Sequence, residues 1–181
     1  SATQVLPETK LDALVHLAGE SLLGLWTAAK RERIWKSRVE LTKRIIAELR
    51  TWQPANRPSM LLCASGIGYY GNRGDEVLEE NSHAGTGFLA DLCREWEAAA
   101  REASSLGIRV VLLRTGVVLG EHGGAFPLMN LAFRFGLGGN LGSGKQWMSW
   151  VHEQDQVSLI LWAIENASVV GPMNLCSPHP V

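Results

Sequence analysis

The chain has 181 residues, 46% of them hydrophobic and 19% charged, with a formal net charge of −1. That length suits one domain with a buried core, and the near-neutral balance gives no electrostatic footprint for nucleic acid or an acidic membrane surface. No apolar run reaches the roughly 18–20 residues of a membrane-crossing helix, and Cys63, Cys93 and Cys176 lie far apart in apolar contexts, which predicts buried free thiols in a reducing cytoplasm rather than disulfides or a metal site.

The opening residues are polar, with no initiator methionine and no basic-then-apolar leader, and run directly into LDALVHLAG (11–19). This short apolar run ended by glycine predicts a strand buried on both faces. A helix is expected from an N-cap at Thr27, with Ile34, Leu41, Ile45, Leu49 and Trp52 apolar before Pro54 and Pro58 stop it. The strand MLLCAS (60–65) follows, then an acidic loop (72–87) and a helix over FLADLCREWEAAAREASSLG, whose Leu89, Leu92, Trp96, Ala99, Ala103 and Leu106 recur at helical spacing and whose Gly107 suits a C-cap. IRVVLLRT (108–115) reads as a third buried strand. A glycine-rich segment (116–150) around a short helix near 125–135 has the composition of a wrap over a site. A strand near 147–152, a helix from about 155 to 166 and a last strand at 173–177 complete the chain.

Strands alternating with helices of ten or more residues predict an α/β fold, a doubly wound parallel sheet with helices on both faces. Ligands of such sheets sit at the carboxyl ends of the strands, which selects Leu17 to Ser21, Ser65 to Tyr70 and Thr115 to Gly120. Arg38 falls one helical turn after Ile34 and before Leu41 and Ile45, so its guanidinium starts on an apolar face. A charge there needs acceptors: a ligand phosphate or ribose, or a structural pair with Glu20 or Asp91.

Four motifs in series carry a resemblance to the extended short-chain dehydrogenases: LVHLAGES, LLCASGIGYYG, LLRTGVVLG and WVHEQDQVSLIL, with MNLCSP after them. The forms HLAGES, the Ser37-Arg38 pair, YYG and GLGGNLGSGKQWMSW resemble the atypical branch called the epimerase family, sometimes labelled with a cell-division-inhibitor name. The resemblance implies a Rossmann-type NAD(P)-binding domain over 1–181 that lacks the family's GxxGxxG start and its small C-terminal domain. It implies NADP or NAD as cofactor, NADP favoured, and oxidoreductase or epimerase chemistry on an unidentified small molecule. By the same resemblance Leu17, Ala18, Gly19, Arg38, Ser65, Thr115, Gly116 and Val118 face the cofactor, Ser65 and Tyr69 are the catalytic candidates, and Lys145, Trp147 and His152 border the substrate. Counting back from Gly71 puts Gly66, one residue after Ser65, at the family's usual serine. His16, Tyr70 and Arg114 read as structural.

One departure stands out. The family's proton donor is the tyrosine of a YxxxK helix, whose lysine stabilises the phenolate, yet the corresponding FLADLCREWEAAA holds neither residue. The alternative reading is therefore a non-catalytic cofactor-binding sensor or interaction module.

Overall fold

The computed structural model describes residues 10–121, 126–139 and 143–181; the polar opening stretch lies outside them. Strands β1 (Ala13–His16), β2 (Met60–Gly66), β3 (Arg109–Thr115) and β6 (Gly171–Leu175) form one parallel sheet in the order β1-β2-β3-β6. Between them run α1 (Ala28–Trp35) and α2 (Leu41–Thr51), α3 (Phe88–Arg101), α4 (Phe126–Arg134) and α5 (Glu153–Glu165). A small parallel pair, β4 (Val117–Leu119) with β5 (Trp150–His152), stands beside the main sheet. The expected α/β architecture with a partial Rossmann-type sheet is present.

Both faces of the sheet are covered. On one, Leu61, Cys63 and Leu112 pack against Ile34, Ile46, Leu92 and Trp96 from α1 to α3. On the other, Met60, Leu62, Val111 and Leu113 pack against Ala163 of α5. The odd and even residues of β2 thus feed different cores, as the two-residue period of a strand requires. Arg109 fixes α5 by donating to the carbonyls of Ala163 at 3.2 Å and Val169 at 2.7 Å, two acceptors at the helix's C-terminal side.

Several expectations need correction. β1 spans only 13–16 and lies at the sheet edge, where Val15 is 39% exposed and Leu17 51%, so it is not buried on both faces. Thr27 does cap α1, its hydroxyl accepting from Lys30 N at 3.2 Å, but the long helix is interrupted by a π turn at Lys36–Glu40. The glycine-rich segment opens with a strand, β4, which the composition does not announce; Val117 N donates to Ser149 O at 2.9 Å and starts the pairing with β5. The strand expected at 147–152 begins only at Trp150, since Met148 pairs with Val181 instead. α5 starts two residues early, capped by His152, and the last strand is 171–175 rather than 173–177. The helix at 88 ends in a 3₁₀ turn at 102–106 before Gly107, which takes the left-handed C-cap conformation expected of it.

Candidate functional site

Parallel register brings the strand ends into a row. His16 lies beside Cys63, Ser65 beside Arg114, and Gly66 beside Thr115, which in turn neighbours Leu175. Leu17-Ala18-Gly19, Ser65-Gly66 and Thr115-Gly116 therefore open on the same side of the sheet. At Gly116 a Cβ would stand 2.8 Å from Ser149 O, so only glycine lets the segment before β5 close against the end of β3. Val118 is held in the same closure through its pairing with Val151.

The π turn places Arg38. Such a turn inserts a residue into the helical ladder, and here the Arg38 carbonyl takes the hydroxyl proton of Thr42 at 2.7 Å. Thr42 Oγ1 also accepts from Trp96 Nε1 at 2.9 Å and lies 3.0 Å from His16 Nε2. Its single proton being spent on the carbonyl, Thr42 must accept from His16, which fixes the Nε2–H tautomer. Burial pushes the His16 pKa down. The expected structural histidine thus bolts β1 to the start of α2, just after the π turn, and packs against Trp96 of α3.

The Arg38 side chain leans over Gly19, where a Cβ would lie 2.8 Å from the guanidinium carbon. Nη1 donates to Glu20 O at 3.0 Å, and the guanidinium sits 5.3 Å from the Trp96 ring centroid. Neither expected carboxylate pairs with it: Glu20 is held by Lys30 at 2.7 Å, and Asp91 by Arg94 at 2.9 Å. Among the described residues no carboxylate forms an ion pair with Arg38, and Nε and Nη2 have no hydrogen-bond acceptor. Desolvation by burial pushes its pKa down, against the opposite influence of Cys93 and Glu20. A half-buried cation short of acceptors is a site for oxygen ligands.

Behind the row lies a second cluster in which every group is satisfied. Arg114, 1% exposed, grips Glu97 with a fork: Nε to Oε1 at 2.8 Å and Nη2 to Oε2 at 2.9 Å. Arg114 Nη1 donates to Tyr70 Oη and to Glu80 O, both at 3.0 Å, and Tyr70 donates to Asn174 Oδ1 at 2.6 Å. The guanidinium carbon lies 3.5 Å from the Tyr69 ring centroid. Burial opposes the Arg114 charge, but the hydrogen bonds to Glu97 and Tyr70 outweigh it and hold its pKa above the ordinary value. Glu97 further accepts from Arg101 at 3.0 Å and from Ser65 Oγ at 2.8 Å. The Ser65 proton is thereby committed, and toward a ligand Ser65 offers only lone pairs. Cys93 stands in the same corner, its Sγ 4.0 Å from a Cβ position on Gly66; burial raises its pKa against the opposing influence of the neighbouring Ser65.

The remaining candidates lie on the rim. Lys145 is exposed, Trp147 donates its indole N–H to Asp75 in the acidic loop at 2.7 Å, and His152 Nδ1 accepts from Gln154 N as the cap of α5. Glu97 and Asn174 were not singled out from the sequence. For Glu97 a signal was present: an acid one turn from Cys93 and one turn before Arg101 on an otherwise apolar helix face, matched by a lone arginine at the end of VVLLRT.

A parallel sheet wrapped on both faces, its strand ends aligned around a cation short of acceptors, is the plan of a Rossmann-type ligand-binding protein. The chain belongs to the NAD dependent epimerase/dehydratase family, whose model matches residues 1–176. It is 44% identical over 174 residues to the epimerase family protein Mb2239 of Mycobacterium bovis, covering 96% of this chain and 56% of that one. A crystal structure of human epimerase family protein SDR39U1 with NADPH matches with a TM-score of 0.87 and 34% identity, over 98% of this chain and 60% of that chain. A nucleoside-diphosphate sugar epimerase from Corynebacterium glutamicum gives a TM-score of 0.81 and 40% identity, over 94% of this chain and 35% of that one. The chain spans about half the length of the curated relatives it matches.

Proposed function

We propose that this chain forms the central part of an NAD(P)(H)-binding site of an oxidoreductase or epimerase acting on a small molecule. The observation that carries the reading is Arg38, a half-buried guanidinium with no carboxylate partner among the described residues, poised over Gly19 in the row of strand ends. The open backbone of Leu17–Gly19 and the Thr115–Val118 turn give a planar ligand close approach, and the human relative solved with NADPH supports NADP over NAD. The dinucleotide would supply hydride; the chain's part is to hold it and to exclude water. Ser65 accepts a hydrogen bond from a ligand donor, Tyr69 presents an aromatic face braced by Arg114, and Lys145 and Trp147 border the substrate. His152 serves α5 as its cap. The 181 residues act as one unit, and with free thiols at Cys63, Cys93 and Cys176 we place the protein in the cytoplasm.

A second reading has its own support. With no tyrosine or lysine on α3 and the Ser65 proton held by Glu97, the site lacks the usual acid pair, which suits a cofactor-binding module that signals rather than turns over. Titrating the protein with NADPH and following cofactor fluorescence tests the common core: saturable binding is expected, and no saturation at millimolar NADPH overturns both. Consumption of NADPH in cell extract then separates enzyme from module.

A further inference from the structure

We propose that Arg38, delivered by the π turn between α1 and α2, supplies the positive charge at the reacting end of the site that α3 does not, and that it grips the oxygens of the nicotinamide half of the dinucleotide. The inference rests on the NAD(P)-binding reading and assigns one residue to one half of the ligand.

The argument is positional. Ser65 lies at the end of β2, Cys93 of α3 stands against it with Sγ 4.0 Å from the Cβ position of Gly66, and Tyr69 lies in the turn that follows β2. The reactive ring of the ligand must come within reach of them. Arg38 belongs to this gathering: its charge acts on Cys93, and it lies over Trp96 three residues further along α3. The buried cation Arg114 has Nε and both terminal nitrogens engaged by Glu97, Tyr70 and the Glu80 carbonyl. Among the described residues Arg38 has one terminal nitrogen on backbone and hydroxyl acceptors, and its Nε and Nη2 remain to be met.

Arginine stays protonated and holds two oxygens in a planar fork, so it binds a phosphate or a pair of hydroxyls and donates no proton. The chemistry at this point is electrostatic grip and charge stabilisation, not acid catalysis. Both the 5′-phosphate and the ribose hydroxyls of a nicotinamide nucleotide present such oxygens.

The test compares wild type with Arg38→Met and Arg38→Lys, using NADPH, reduced nicotinamide mononucleotide, reduced nicotinamide riboside and 2′,5′-ADP as probes. Arg38→Met is expected to weaken NADPH and the mononucleotide by about tenfold to a hundredfold, the range for a charged hydrogen-bond donor, with 2′,5′-ADP changed by less than about twofold. Arg38→Lys should recover part of the loss. Parallel loss on the riboside assigns the contact to hydroxyls, and loss confined to the mononucleotide assigns it to phosphate. Thermal unfolding of each variant shows that the folded state is retained. The proposal is overturned if wild type binds NADPH and Arg38→Met binds it equally, if the loss falls on 2′,5′-ADP, or if wild type binds no nicotinamide fragment; NADPH binding by wild type reports separately on the NAD(P)-binding reading.

Discussion

Two arginines flank α3, and their surroundings differ in kind. Arg114 is fully buried, and its Nε and both terminal nitrogens reach an acid, a phenol or a carbonyl. Arg38 is half-buried and, among the described residues, has a single terminal nitrogen engaged and no acid. Helical spacing alone left Arg38 open between a ligand and a structural ion pair. Hydrogen-bond accounting separates the two arginines: a saturated cation joins elements of the fold, whereas an unsaturated one is available to a ligand.

The comparison can be broken at its strongest point first. Glu97→Ala leaves Arg114 buried without its acid and should cost about 3–5 kcal/mol, read by urea unfolding; a loss below about 1 kcal/mol would show that the network does not hold the fold. Next comes Thr42→Val, which keeps the shape but leaves the Trp96 and His16 N–H groups without their shared acceptor. It should destabilise by about 1–3 kcal/mol. His16 then gives a pH signature. Its folded pKa lies below the ordinary value of about 6.5, so its contribution is complete above that pH and is lost as pH falls through it toward the lower folded value. Thermal midpoints from pH 7.5 to 5 should decline in wild type more steeply than in His16→Gln. The smallest effect is expected at Arg38: Arg38→Met loses the contacts of Nη1 with Glu20 O, Ile34 O and Ser37 Oγ and an aromatic contact, but it also relieves the desolvation of a half-buried charge, so stability should change by no more than about 1 kcal/mol. A cost as large as that of Glu97→Ala would erase the distinction.

Much of the scaffold was legible because local rules and tertiary packing agree in it. The alternation of apolar strands with periodic helices, the Thr27 cap and the Gly107 stop all rest on interactions within a few residues. The features missed depend on distant partners. The π turn is stabilised by Thr42, which binds His16 and Trp96 as well as its own helix, and no periodicity announces it. β4 is three residues long and exists through its pairing with β5. The exposure of Val15 follows from sheet order, not composition. Arg38 was singled out from its helix face, but the sequence left a pair with Glu20 or Asp91 open; Lys30 and Arg94 take those acids. The absence of tyrosine and lysine from α3 was plain in the sequence, while the commitment of the Ser65 proton to Glu97 required the geometry.

The most direct measurement is the map of backbone amide shifts on adding NADPH to isotope-labelled protein. The account predicts that the largest perturbations fall at Leu17–Glu20, Ser37–Arg38 and Thr115–Val118, with Arg101, Tyr70 and Asn174 in the saturated cluster moving little. Perturbations centred on that cluster, or on the outer face of α5, with the Arg38 region unchanged, would contradict it.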